Sequence, residues 1–202
     1  IKFGQILSTR PDVVGEELAL QLRVLQDKLP PFPTSVAKAT VAAELDAPVA
    51  SLFSEFSEPV AAASIAQVHR CRLADTDEEV AVKVLRPGIE KAFRKDIDAF
   101  HFAAALIEFL SPASRRLRPS DVVSHFEGVV TGELDLRLES SSASEIAANT
   151  KDDPGFRVPR PEWFLSSRRV MTIGWVEGIP IGDVEAPQAA GHDTAALGER
   201  VM

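Results

Sequence analysis

Val80-Ala81-Val82-Lys83-Val84-Leu85, followed by Arg86-Pro87-Gly88, is the stretch on which the reading of the whole chain turns. Its period of two describes a strand with Val80, Val82 and Val84 on one face and Ala81, Lys83 and Leu85 on the other. Pro87-Gly88 ends it. Moving towards the N-terminus, residues 65–73 and 52–56 read as further β-prone runs, and the polar Ala74-Asp75-Thr76-Asp77-Glu78-Glu79 joins the last two strands. The pattern predicts a three-stranded antiparallel meander.

On the other side, Ile89, Phe93, Ile97, Phe100, Ala104 and Ile107 recur at helical spacing and predict a long helix. A basic, proline-bounded loop over 111–119 leads to Ser120, the expected N-cap of a segment reaching about Asn149. Two periods compete there: Leu134, Leu136 and Leu138 alternate with charged residues as in a strand, whereas 122–130 and 143–148 favour helix. The segment is assigned as one helix, 120–149. Residues 156–158 and 170–176 are strand candidates, the second ended by Gly178 and Pro180, and a last helix is expected from His192 or Asp193 to Met202. Upstream, Val14, Leu18, Leu22, Leu25 and Leu29 predict an amphipathic helix over 12–29, stopped by Pro30-Pro31. Thr34 is expected to cap a second, shorter helix ending at Ala43 or Leu45.

With 202 residues, 45% of them hydrophobic and 26% charged, the chain has room for one large or two small domains and is no disordered tail or disulfide scaffold. A formal charge of −8 argues against nucleic acid as a partner, because phosphate affinity needs clustered Lys and Arg. The single Cys71 cannot close an internal disulfide and has no cysteine partner for zinc. The nearest approach to a membrane span, residues 99–110, is too short and is interrupted by His101 and Glu108. The start lacks an initiator Met and a signal region, and the end lacks a helix stop. We therefore expect a fragment of a cytoplasmic protein, cut at both ends, with any membrane association made through a segment outside it.

The chemistry centres on Lys83. A lysine beside a small residue on one strand face leaves room for a flat ring, the arrangement that in protein kinases seats adenine next to the phosphate-binding lysine. A solvated strand lysine has the same local sequence. Two strands earlier, where a kinase carries its glycine-rich loop, stands Ala61-Ala62-Ala63-Ser64, with Ile65-Ala66-Gln67-Val68-His69 behind it. Alanine takes positive φ less readily than glycine, so a phosphate loop here is expected to be stiffer and differently shaped. A tight turn is the alternative. His69 reads as a polar residue satisfying local backbone.

Four motifs in order, Lys2-x-Gly4-Gln5, the alanine-rich stretch, Val80 to Lys83 with Arg86-Pro87-Gly88, and Glu133-Leu134-Asp135 with Glu139, resemble the UbiB-type atypical kinases of ubiquinone biosynthesis along essentially the whole chain. The resemblance implies an α+β fold: a protein-kinase-like N-lobe with an antiparallel sheet, added N-terminal helices, a long αC-like helix and a C-lobe mostly absent. It divides the chain into a helical extension (1–50) carrying the Lys-x-Gly-Gln motif, an N-lobe (51–176) with a helical insertion (88–110) and αC-like helix (120–149), and the exit into the C-lobe (177–202).

The same resemblance implies that Lys83 holds ATP phosphates with Glu139 as its ion-pair partner. Ala61, Ala62, Ala63, Ser64, Ala81 and Trp175 then border the nucleotide. Lys2, Gly4 and Gln5 lie opposite Glu133 and Asp135 as a regulatory motif that occludes the place of a protein substrate. On a continuous helix Asp135 and Glu139 would be neighbours needing cations such as Lys83 and Lys2, while Glu133 would align with Arg137 as a surface pair.

The chain departs from the family at Ile173-Gly174-Trp175, where an acidic residue is usual before the Trp, and at Ser140-Ser141-Ser142, where small apolar residues are usual and packing is expected to loosen. It contains one Asn, Asn149, and no Asp-Phe-Gly, so the catalytic base and the Mg2+ ligands are expected beyond Met202, with no metal ligand in this chain. The implied partners are ATP and quinone-biosynthesis proteins or membrane lipid. A second reading, a catalytically silent nucleotide- or lipid-responsive binding module, fits the missing catalytic half. A third, a small-molecule phosphotransferase, leaves Lys2-x-Gly4-Gln5 without a role.

Overall fold

The computed structural model describes residues 30–153, 155–179 and 185–194, together with 15–17, 21 and 198. Most of the helix expected over 12–29, the Lys2, Gly4 and Gln5 motif and most of the expected terminal helix lie outside the described residues. The expected meander is present and a fourth strand joins it. β1 (Phe53–Ala62), β2 (Ala66–Leu73), β3 (Glu79–Leu85) and β4 (Val170–Gly174) form an antiparallel sheet in that order. β4 stops two residues short of the expected 176.

The alternation of β3 divides the core in two. Val80, Val82 and Val84 face α1 (Thr34–Leu45) and pack with Ala37, Val41, Phe53 and Val170. Leu85 looks the other way, into a second cluster with Ile97, Phe126, Val130, Leu134 and Leu136. α1 runs where it was expected, but its cap differs: Pro33 occupies the N-cap position, and the Thr34 hydroxyl donates to Glu58 Oε2 at 2.5 Å instead of receiving a backbone N–H. A single turn, α2 (Val49–Leu52), leads into β1.

After Pro87, Gly88 takes φ 71° and opens α3 (Ile89–Leu110), whose buried Ile97 and Ala104 continue the predicted stripe. A 3-10 segment (Pro112–Leu117) then turns the chain into α4 (Pro119–Glu133). Ser120 is not the cap; it lies inside the helix, Pro119 fills the first position, and the Ser120 N–H donates to Glu108 Oε1 of α3 at 3.1 Å. The single helix expected over 120–149 is two. α4 ends at Glu133, and α5 (Leu136–Asn149) starts afresh behind Asp135, which has extended backbone and accepts the Arg137 N–H as an N-cap.

Residues 156–158 are not a strand. The segment from 159 onward runs beside β4, but Pro159 and Pro161 have no N–H to donate, so the ladder reduces to Glu162 N–H to Thr172 O (2.8 Å), Gly174 N–H to Arg160 O (3.2 Å) and a single bridge from Pro161 to Ile173. A short helix not anticipated from the sequence, α6 (Glu185–Ala189), follows.

Gln67 and His69 are fully buried on the α1 side of β2. His69 Nδ1 lies 2.9 Å from the Ser57 carbonyl and so carries the proton, while Nε2 accepts from Gln67 Nε2 at 2.9 Å. The Gln67 amide also accepts the Phe32 N–H (2.9 Å) and donates to the Phe32 carbonyl (3.2 Å), which pins the proline-rich link to the sheet. His69 thus satisfies backbone and amide groups, as read from the sequence.

A proton on Nε2 would set two donors face to face. Burial lowers the His69 pKa from 6.5; the Ser57 carbonyl and Glu58 oppose that shift, and Lys38 adds to it. The folded state therefore binds fewer protons than the unfolded chain, so this stability is complete above pH 6.5 and is lost as the pH falls below it. The thermal midpoint should decline between about pH 7 and about pH 5. His69→Gln, which cannot titrate, should flatten that decline; an equally steep decline in the variant would locate the titrating group elsewhere.

Candidate functional site

Lys83 sits in mid-sheet, in register with Val68 on β2 and Met171 on β4. Its ammonium donates to both carboxylate oxygens of Glu139, at 2.8 and 2.6 Å. Three local features bring Glu139 there. Asp135 starts a new helix, the Leu136 side chain enters the core with no exposed surface, and the Leu136 N–H donates to the Arg168 carbonyl at the entry to β4 (2.9 Å). Glu139 then falls one turn into α5. The two side chains are 28% and 50% exposed, so the pair contributes only about 0–1 kcal/mol to stability. Its consequence is geometric: it aims the amine at a cleft of about 600 Å³ bordered by Ala63, Ser64, Glu133 and Asp135.

The opposite wall is the β1–β2 hairpin. Ala61 and Ala62 belong to β1, paired with Val68 and Gln67, so only Ala63-Ser64-Ile65 forms the turn. The Ala63 N–H closes it on the Ala66 carbonyl at 2.8 Å, and no residue of the turn has positive φ. The turn is tight, the alternative that the sequence left open. Arg86 fastens it: the backbone N–H donates to Ile65 O (2.8 Å), Nε to Ala63 O (3.0 Å) and a terminal nitrogen to Pro30 O (3.0 Å), with the guanidinium 5.8 Å from the Phe32 ring centroid.

Glu133 and Asp135 both border the cleft, but their expected pairing is corrected. Asp135, not Glu133, holds Arg137, through Nε to Oδ1 at 2.9 Å and a terminal nitrogen to Oδ2 at 2.6 Å. Asp135 precedes the helix, so it does not stack on Glu139 as a like-charged neighbour, and the Arg137 guanidinium holds its carboxyl below the usual carboxylate range. The helix break replaces the i,i+4 geometry on which both expectations rested.

Ala81 shares the sheet face of Lys83, opposite Arg70 and Ile173, without bordering the cleft. Trp175 stands further off. Its backbone N–H donates to the Glu79 carbonyl (3.0 Å), and Arg70 lies 4.8 Å from its ring centroid while pairing with Glu79 at 2.5 Å and Glu177 at 3.2 Å. Trp175 lines a separate hollow with Thr150, Lys151, Phe156 and Arg160. The structure thus gathers Ala63, Ser64, Lys83, Glu133, Asp135 and Glu139 around one space and leaves Ala61, Ala62, Ala81 and Trp175 outside it. Among the described residues no three His, Cys, Asp or Glu side chains converge as a metal site.

A four-stranded antiparallel sheet whose third strand offers a lysine to a helix glutamate is the layout of a kinase N-lobe. Residues 24–202 match the family model described as the ABC1 atypical kinase-like domain. The chain belongs to the ABC1 atypical kinase-like family. It is 41% identical over 201 residues to a protein of Marinobacter nauticus named "Probable protein kinase UbiB", covering 99% of this chain and 37% of that relative. Relatives of the same name from Pseudomonas aeruginosa and Shewanella baltica are 42% and 39% identical, again over 99% of this chain and over 38% and 37% of theirs. The chain therefore spans less than two fifths of their length. Among the described residues no helix is long and apolar enough to cross a membrane.

Two features of this ABC1 kinase-like domain were not legible as site residues. Arg86 stood in the sequence only as the residue before Pro-Gly, with no sign that its side chain would reach the hairpin. Asp135 stood as an acidic motif residue, although an Asp directly before a helix is the ordinary signature of an N-cap. The three serines, expected to loosen packing, are satisfied: Ser140, Ser141 and Ser142 donate to the carbonyls four residues earlier at 2.9–3.0 Å, and Ser140 is fully buried. Asp135→Ala should lower unfolding free energy in urea by about 1 kcal/mol through loss of the cap, and Asp135→Asn by less. Equal losses in the two variants would show that the Arg137 pair outweighs the cap.

Proposed function

We propose that the chain is the nucleotide-binding N-lobe of an atypical kinase-like ATPase that supports biosynthesis of ubiquinone or another isoprenoid quinone. The observation that carries this is the Lys83–Glu139 pair, which links β3 to α5 and holds a cation at the mouth of a cleft. The space suits a nucleotide: about 600 Å³ falls within the range of ligand sites, and its hairpin wall is built from small side chains. The relatives' printed name supports the kinase class, and the quinone role follows from the resemblance to UbiB-type proteins.

Bound ATP would supply the transferable phosphoryl group. Lys83 offsets phosphate charge, Glu139 fixes the lysine rotamer, and the Ala63-Ser64-Ile65 turn lets backbone approach the phosphates. Ala81 and Trp175 lie outside this cleft, and the base is assigned to neither. Mg2+ would arrive with the nucleotide, and no residue of this chain is assigned to it.

In the full-length protein, Lys83→Ala should abolish Mg-ATP-dependent phosphate release while changing unfolding free energy by no more than about 1 kcal/mol, because the pair is partly exposed. Glu139→Gln, which leaves the amine misplaced, should reduce turnover about a hundredfold. Undiminished turnover by folded Lys83→Ala would overturn the assignment. Nucleotide binding by the intact wild-type protein without any hydrolysis would favour the silent binding module instead.

A further inference from the structure

Arg86 is half-buried, does not border the cleft, and stands three residues after Lys83. Its guanidinium is confined on three sides. Nε donates to the Ala63 carbonyl and a terminal nitrogen to the Pro30 carbonyl, each at 3.0 Å, and the Phe32 ring centroid lies 5.8 Å away. That ring has a fixed place, because the N–H and the carbonyl of Phe32 are both bonded to the fully buried Gln67 amide. Contacts thus run from the sheet interior to the tip of the β1–β2 hairpin through one guanidinium.

The place of the turn decides the gap across the cleft. Ala63, Ser64, Ile65 and Ala66 form one wall, and Lys83 and Glu139 border the same space. The bond from the Ala63 N–H to the Ala66 carbonyl lies within the hairpin and ties the turn to nothing else. The Ile65 end is tied to the end of β3 by the backbone N–H of Arg86 at 2.8 Å. The Ala63 end is tied there by the Arg86 side chain. A planar fork with donors in fixed directions can reach the Ala63 and Pro30 carbonyls at once, whereas a lysine amine is a single point. The three groups that receive the guanidinium, two carbonyls and a ring, are neutral, so none of them cancels its charge beside the turn.

We propose that Arg86 is a positioning residue for the nucleotide phosphates. By tying the Ala63 end of the turn to the strand that carries Lys83, it sets the gap in which the phosphates lie and so favours a triphosphate over the bare nucleoside. This role rests on the reading of the Lys83 cleft as a nucleotide site.

The test compares the full-length protein with Arg86→Met, which keeps an unbranched apolar stem against Phe32, and with Arg86→Lys, which keeps the charge but loses the fork. Amide hydrogen exchange without nucleotide reads the tie itself: Arg86→Met should speed exchange over residues 61–66 and leave the β2–β3 turn unchanged. Calorimetric titration with Mg-ATP and with adenosine reads its consequence. Arg86→Met should weaken Mg-ATP binding about tenfold and change adenosine binding less than about twofold, since only the phosphates meet the turn. Arg86→Lys should remain at least about threefold weaker than wild type for Mg-ATP, and it decides the point if Arg86→Met does not fold.

Unaltered exchange over 61–66, Mg-ATP binding by Arg86→Met equal to wild type, an equal loss for Mg-ATP and adenosine, or full recovery in Arg86→Lys would overturn the role of Arg86 and leave the nucleotide reading standing. A wild-type protein that binds neither Mg-ATP nor adenosine would overturn the nucleotide reading, and this role with it.

Discussion

The period of two in β3 is the constraint from which the rest of the structure follows. Val80, Val82 and Val84 must be covered on one side of the sheet, and α1 covers them with Ala37 and Val41. Leu85 and Met171 must be covered on the other side, and α3, α4 and Leu136 cover them. Lys83 shares that second side, and its amine cannot enter an apolar cluster unpaired. The helix that closes the cluster at Leu136 therefore presents a carboxylate one turn later. Core packing sets the position of the pair, and the pair sets the direction of the amine; no large electrostatic energy is needed for either.

Residues whose partners are near in sequence were legible. The meander, α1, α3 and the two faces of β3 all follow from periodicity, because each strand or helix buries the stripe that its own spacing defines. The failure at 120–149 has the same origin. Leu134 closes α4 and Leu136 opens α5; both are buried, but on opposite sides of a break, while Leu138 is 55% exposed. Reading one period across a junction produced an apparent strand alternation where the backbone changes direction. The cap residue between them was the better signal.

What periodicity could not show is the long-range polar bonding. Gln67 meets Phe32 across 35 positions, and Arg86 meets Pro30 across 56. Residues 30–33 read as a mere link because prolines have few ways to bond. Here the backbone of that link supplies the acceptors that two buried or half-buried side chains need. Family resemblance marked Lys83 and Glu139, yet only the fold separates Ala63 and Ser64, which border the cleft, from Ala61 and Ala62, which are ladder residues.

These bonds also bear on how the cleft can move. A glycine-rich turn can flex because its residues pass freely between positive and negative φ. The turn here has only negative φ, and its Ala63 and Ile65 carbonyls are both held by Arg86. The same guanidinium holds Pro30, and the neighbouring Phe32 is held in turn by Gln67. Displacing the hairpin without displacing the link would break the Arg86 bond to Ala63 or to Pro30, both exposed to solvent. The hairpin wall of the cleft and the link over residues 30–33 are therefore joined through Arg86. One arginine thus ties residues 30–33 to the Ala63 carbonyl, and it follows directly on the strand that carries Lys83 three residues earlier.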